Sequence, residues 1–188
     1  MRTSRLMMAV GCACLAAAPA AHAACADQPF DTVFAGYGDT GLYAPIAGGD
    51  FESGAAGWTL TGDARVAADP VNHLGRGADA FALQLGPGAV ARTPPFCMTK
   101  DFRTARMFAR ALSGVRGKGL RVEFVYPNGV VAAASVPATP GWQVSPLLRT
   151  GVARAGLTRG RETVAFARIT AVSGTWQIDD VYVDPRMR

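Results

Sequence analysis

The feature that most constrains this chain is apolar alternation with a period of two, cut at short intervals by turn residues. From Leu120 to Tyr126, the side chains of Leu120, Val122, Phe124 and Tyr126 share one face, while Arg121 and Glu123 point the other way. Such alternation marks a half-buried antiparallel strand. The run enters Pro127-Asn128-Gly129, where proline fixes φ and glycine accepts a positive φ, and continues into Val130 to Val136. These segments read as a β-hairpin. A second hairpin is expected from Phe81-Ala82-Leu83-Gln84-Leu85 to Ala89-Val90-Ala91-Arg92 through Gly86-Pro87-Gly88, with Phe81, Leu83 and Leu85 facing inward.

Further strands are expected at Trp58 to Thr61, Ala64 to Ala67, Trp142 to Leu148, Thr163 to Thr170 and Thr175 to Val183. Phe102 to Leu112 carries two patterns at once. Arg103, Arg106 and Arg110 have near-helical spacing, yet Arg106, Phe108 and Arg110 also alternate with Met107, Ala109 and Ala111. The wide apolar stripe of a stable helix is missing there, and Pro94-Pro95, Gly114 and Gly117 flank the segment, so it reads as a strand. Many short strands without a strong helix predict an all-β fold, an antiparallel two-sheet jelly-roll sandwich.

The opening residues set the compartment. Arg2 and Arg5, the apolar stretch from Leu6 to about Ala18, and Ala21-His22-Ala23 read as a signal peptide over residues 1–23, cleaved after Ala23. Its apolar run is too short to span a bilayer, and no later run is longer, so an exported protein without a membrane span is expected. His22, three places before Cys25, is not the apolar residue that lipid attachment would need. Residues 24–47 then form an N-terminal extension packing on a β-sandwich domain of residues 48–185. A monomer is expected.

Loss of Arg2 and Arg5 leaves 17 basic residues against 14 acidic, a mild net +3. That is below the basic density of nucleic-acid binders, and nucleic acid is not an expected partner. Cys12 and Cys14 leave with the signal, so Cys25 and Cys97 remain, in an oxidising compartment where they are expected to pair. The alternative is two unpaired thiols.

No constellation carries recognisable chemistry, and no catalytic residue is assigned. Outside the signal the one histidine is His73, in a turn-like segment, and no serine or cysteine stands in a nucleophile-elbow setting. One histidine without a nearby cysteine gives no standard zinc site. Asp63, Asp69, Asp79 and Glu123 supply the residue type of a glycosidase, but nothing in their spacing recommends them. Seven Lys or Arg lie between Lys100 and Arg121 against the single acid Asp101. On a strand, Arg106 and Arg110 share a face that could dock an anionic cell-envelope polymer, or be a solvated sheet surface.

Two motifs carry a resemblance. Gly49-Asp50-Phe51-Glu52-Ser53-Gly54 with Gly57-Trp58, and the closing Trp176-Gln177-Ile178-Asp179-Asp180-Val181-Tyr182-Val183, resemble the galactose-binding-like jelly rolls found among secreted carbohydrate-binding modules. The stretch from about Phe34 to Pro185, with Thr93 to Cys97, is also similar to secreted bacterial proteins of this size. The resemblance implies that first and last strands are neighbours. It also implies that Glu52 and one of Asp179 or Asp180 hold a structural calcium ion.

Adjacent carboxylates in a regular strand point to opposite faces, so one of them needs a cation or hydrogen bonds unless both lie on a solvated edge. Ring-stacking candidates are Trp58, Trp142, Trp176, Tyr37, Tyr43 and Tyr126. Trp58, Trp142 and Tyr126 read as core, which leaves Tyr37 and Tyr43 beside the Gly-rich segment as the more exposed pair.

The expected ligand-binding residues are therefore Tyr37, Tyr43, Arg106 and Arg110. The expected function is a secreted, non-catalytic binding module for carbohydrate or cell-envelope polymer. The alternative is an extracellular structural or protein-interaction scaffold.

A Cys25–Cys97 bridge closes a loop of about 70 residues and would stabilise by roughly 4 kcal/mol. Thiol titration of the denatured, unreduced mature protein should find no reactive thiol; two reactive thiols contradict the bridge.

Overall fold

Two antiparallel sheets face each other across one apolar interior in the computed structural model, which describes residues 28–75, 77, 79–117 and 119–184. The strands in chain order are β1 (Ala44–Pro45), β2 (Thr59–Thr61), β3 (Ala64–Ala68), β4 (Phe81–Leu85), β5 (Val90–Arg92), β6 (Phe96–Thr99), β7 (Thr104–Ser113), β8 (Leu120–Val125), β9 (Val131–Val136), β10 (Gln143–Val144), β11 (Leu148–Arg149), β12 (Glu162–Ala171) and β13 (Thr175–Asp184). A single turn of 3-10 helix, Ala35–Tyr37, precedes them among the described residues.

The seven-stranded sheet runs β10-β7-β13-β4-β3, with β1 on β13 and β11 on β7. The six-stranded sheet runs β2-β5-β12-β8-β9, with β6 on β12. Period-two patterning places the interior. From the first sheet Met107, Ala109, Trp176, Ile178, Leu83 and Leu85 point inward, and they meet Leu120, Val122, Phe124, Ala167 and Ile169 of the second. All are essentially buried, so each of the larger aliphatic, Met and Phe side chains contributes roughly 1.5–3 kcal/mol, and each alanine less.

The Leu120 and Val130 segments form the expected hairpin, with Val125 opposite Val131 and Leu120 opposite Val136. The segment from Phe102 is a strand, Thr104–Ser113, which pairs with β13 along most of its length. Trp58 and Tyr126 are buried in the interior, where the Trp58 indole donates to the Ala47 carbonyl at 3.0 Å and the Tyr126 hydroxyl to the Thr150 carbonyl at 2.9 Å.

Four expectations differ from the structure. The segments at Phe81 and Ala89 are not a hairpin. β4 pairs with β3 and β13, whereas β5 pairs with β2 and β12, so Gly86-Pro87-Gly88 carries the chain from one sheet to the other. Gly86 N–H donates to Asp63 O and Gly88 N–H to Ala171 O, one bond to each side. Phe81, at the start of β4, is exposed and not inward-facing. The Trp142 to Leu148 run divides into β10 and β11, because Ser145 between them bonds the Met107 backbone through both its own N–H and its hydroxyl oxygen. Trp142 packs on the outer face of the seven-stranded sheet, not in the interior.

Cys97 is buried on β6. Cys25 and the signal segment 1–23 lie outside the described residues.

Truncation of Phe124, on β8 and 1% exposed, should test the shared interior. Phe124→Ala should lower the unfolding free energy by about 3–5 kcal/mol in urea unfolding followed by tryptophan fluorescence.

Candidate functional site

The chain's opening loop is clamped to its last strand. Ile46 N–H donates to Val181 O at 2.9 Å, and Val181 N–H donates to Gly49 O at 3.1 Å. Position 49 must be glycine for this approach, since a Cβ there would lie 2.9 Å from the Ile46 carbonyl oxygen and 3.2 Å from Val181 Cβ. Opposite the clamp, β13 departs from regular register between Asp179 and Tyr182, and Asp180 takes φ +53°. A left-handed aspartate costs on the order of 1–3 kcal/mol and persists only where its surroundings hold it.

This bulge decides the chemistry. In a regular strand Asp179 and Asp180 would face opposite ways, but an extra residue re-aims the side chains. Asp79, Asp179 and Asp180 each offer a carboxylate oxygen, and these oxygens lie within 4.8 Å of one another. Asp179 is 2% exposed, and burial first, then Asp180, pushes its carboxyl up to about 9. The Asp180 N–H, which donates to Asp179 Oδ1 at 2.8 Å, opposes that shift, while Asp79 and Glu52 add to it. Burial likewise raises Asp79, against the His73 N–H that donates to it at 3.1 Å.

Oxygens that each stand about 2.4 Å from one calcium ion are at most about 4.8 Å apart. The all-oxygen, carboxylate-rich set therefore fits a hard divalent cation.

Glu52 has a neighbouring place. Its Oε1 accepts from the N–H groups of Ala80 and Phe81, both at 2.8 Å, which fixes the chain beside Asp79. Asp79, which sequence reasoning did not connect with this site, stands in the cluster with Asp179 and Asp180. Only the loop's path between β3 and β4 brings it there, and no local pattern announces that path.

Around the cluster, the outer face of the seven-stranded sheet is largely covered by the chain itself. Val33, Phe34, Tyr43 and Phe108 form a second apolar cluster there, with Trp142, Val144 and Tyr182 against it. Phe34 meets Tyr43 edge-on at 4.8 Å and Tyr182 at 5.7 Å. The His73 ring stacks on Phe108 at 4.3 Å and meets Trp142 edge-on at 4.6 Å. Burial lowers the His73 pKa, with Asp69 opposing and Arg110 reinforcing the shift.

The four expected ligand residues all reach this face, in different states. Tyr43 is 0% exposed, and its hydroxyl donates to Asp39 Oδ2 at 2.7 Å, so it has no surface to offer a ligand. Its ring fills the gap between the N-terminal segment and the sheet. Tyr37 is 49% exposed; its hydroxyl donates to the His73 carbonyl at 2.7 Å.

Arg106 pairs with buried Asp39 at 3.2 Å. Arg110 pairs with buried Asp69, donates to Gln177 Oε1 at 2.7 Å, and lies 4.9 Å from the Trp142 ring centre. The two arginines are thus neutralised by acids from other segments and do not form an open cationic patch.

One strip of the face is polar, with Arg65 exposed, Gln84, Arg110 and Trp142 half-buried, and Gln177 buried. Arg110 stands opposite Gln177, Gln177 opposite Gln84, and Gln84 opposite Arg65, a polar row across β7, β13, β4 and β3. Four strands at the usual spacing make it roughly 14 Å long. The Trp142 indole ends it beside Arg110 and donates to Asp69 Oδ2 at 3.3 Å.

No protein-family model matches the chain, and no curated protein does. Among solved structures it is similar to TmCBM61, determined in complex with β-1,4-galactotriose, at 16% identity and TM-score 0.42, over 74% of this chain and 96% of that one. It is also similar to the enzymatically active domain of tailspike protein 4 of bacteriophage CBA120, at 13% identity and TM-score 0.46, over 74% of this chain and 21% of that one. A third similarity is to the CBM22-1 xylan-binding domain of Paenibacillus barcinonensis Xyn10C, at 11% identity and TM-score 0.43, over 70% and 88%. The jelly-roll assignment stands on the chain's own sheet order and registers. No helix among the described residues is long and apolar enough to cross a membrane.

Proposed function

We propose that this protein is an exported, non-catalytic carbohydrate-binding module that carries a structural calcium ion. The observation that carries the reading is the polar row in which Arg65, Gln84 and Arg110 reach solvent around buried Gln177, with the half-buried Trp142 indole at its end. Amide and guanidinium groups match the paired donors and acceptors of sugar hydroxyls, and an indole presents a flat apolar surface to a sugar ring. Two packed sheets hold these groups rigidly, as a pre-formed site requires. The solved modules described above bind β-1,4-galactotriose and xylan according to their names, which supports the same ligand class here.

Calcium has a stabilising role in this reading. Asp79, Asp179 and Asp180 would hold the ion, whose charge offsets three crowded carboxylates where the opening loop meets β13. Glu52 positions the segment that bears Asp79. A non-catalytic role is supported by His73, whose ring is packed on Phe108 and Trp142 and not beside a nucleophile.

A second reading, an extracellular protein-interaction scaffold, is favoured by the cover that Phe34 and Tyr43 lay over this face.

Two measurements test these statements. Calcium at about 100 times its dissociation constant should stabilise by about 2.7 kcal/mol, which for this size raises the melting midpoint by roughly 5–10 °C relative to chelator. Asp180→Asn should abolish most of that rise, and a wild-type midpoint that does not move contradicts the ion. On a panel of neutral polysaccharides, affinity electrophoresis should show retardation on at least one, weakened about tenfold or more by Trp142→Ala. No retardation on any of them would favour the scaffold.

A further inference from the structure

Five arginines of the sheets meet acids. Arg65 pairs with Asp63, Arg106 with Asp39, Arg110 with Asp69, and Arg121 and Arg168 share buried Glu123. Another three gather at one place with no acid among them. Arg103, Arg149 and Arg154 come from the residue before β7, from β11 and from the turn after it, and they converge on one cavity of about 340 Å³. No acid lines that cavity, and among the described residues none of the three forms an ion pair.

The backbone builds this arrangement. Thr104 lies opposite Arg149 in register, and Thr150 N–H donates to the Arg103 carbonyl at 3.0 Å, so Arg103 and Arg149 sit diagonally across the β7–β11 pairing. Arg154 N–H donates to Gly151 O at 2.9 Å and closes the turn that brings Arg154 to the cavity. Gly151, at φ +76°, presses against β9, where a Cβ would lie only 2.4 Å from Ala132 Cβ. The floor is apolar, since Ala132 and Val152 are 5% and 4% exposed.

We infer that this cavity binds an acidic sugar residue, with the ring on the Ala132–Val152 floor and its carboxylate or sulfate held by the three guanidiniums. Guanidinium is always charged and its fork matches planar or tetrahedral oxyanions in paired hydrogen bonds. Three like charges around one cavity repel each other, and a bound anion relieves that repulsion while an apolar floor excludes water from one side. A neutral sugar would bring no such relief, so the site selects acidic over neutral residues. It lies on other elements than the polar row of the seven-stranded sheet, and does not require that row to bind anything.

The test is titration calorimetry at low and moderate salt with an oligogalacturonate, its neutral methyl ester, a sulfated galactan oligosaccharide and inorganic sulfate. The proteins are wild type, the triple variant Arg103→Gln, Arg149→Gln, Arg154→Gln, and Trp142→Ala.

The expected result is binding of at least one acidic oligosaccharide, at least tenfold weaker for the ester and for the triple variant, unchanged in Trp142→Ala, and weakened by salt. Comparison of the uronate with the sulfated ligand shows which anion the cavity prefers. Equal binding of ester and acid overturns the inference, as do equal binding by the triple variant and wild type, or binding of inorganic sulfate but of neither oligosaccharide. The three arginines are exposed, so an unchanged melting midpoint should accompany the triple variant; if it falls, the single Arg154→Gln variant replaces it, with a loss expected by the same comparison. Loss of neutral-glycan binding in Trp142→Ala with acidic binding intact separates the two sites.

Discussion

The pairing of β7 with β13, and the bulge that interrupts it between Asp179 and Tyr182, is the constraint on which the rest of the structure depends. These two ten-residue strands form the centre of the seven-stranded sheet and supply Met107, Ala109, Trp176 and Ile178 to the interior. Alternation then forces the intervening residues Phe108, Arg110, Gln177 and Asp179 to the outer face. Core and candidate site are therefore opposite sides of the same two strands, and neither can shift register without exchanging apolar for charged groups.

The bulge also joins the ends of the domain. Gly49 can approach Val181 only because it lacks a side chain, and the approach holds Asp180 in its left-handed conformation. Strain there is offset by two backbone hydrogen bonds across the clamp and, in the proposed reading, by a cation. The same region is covered by the N-terminal segment, whose Phe34 and Tyr43 rings pack where a jelly-roll face would otherwise be bare. Asp39 and Asp69 reach across to neutralise Arg106 and Arg110, whereas Arg103, Arg149 and Arg154 line a cavity with no acid beside them.

Strand positions were legible in the sequence because alternation is a local property. Leu120 to Tyr126 and Thr175 to Val183 appear as strands nearly residue for residue. Sheet membership was not, because Gly86-Pro87-Gly88 can turn a hairpin or carry the chain between sheets, and only the partners of β4 and β5 decide which. The acidic pair was visible, but its shared direction depends on a bulge imposed by a loop about 130 residues earlier. Asp79 was silent for the same reason. Tyr43 looked exposed beside glycines, since nothing local shows that the segment folds back onto Phe108 and Tyr182. Arg103 stood out in a basic run, whereas Arg149 and Arg154 belong to another stretch, and only the pairing of β11 with β7 assembles them.

The bulge in β13 turns Asp179 and Asp180 to one side, where they meet Asp79, and the proposed cation would sit between the three. A crystal structure grown in calcium, with anomalous scattering to mark the metal, tests it most directly. One calcium peak is expected, with oxygens of all three aspartates at about 2.3–2.6 Å and a left-handed Asp180. A regular strand with Asp179 and Asp180 on opposite faces, or Asp79 remote from both, would contradict it.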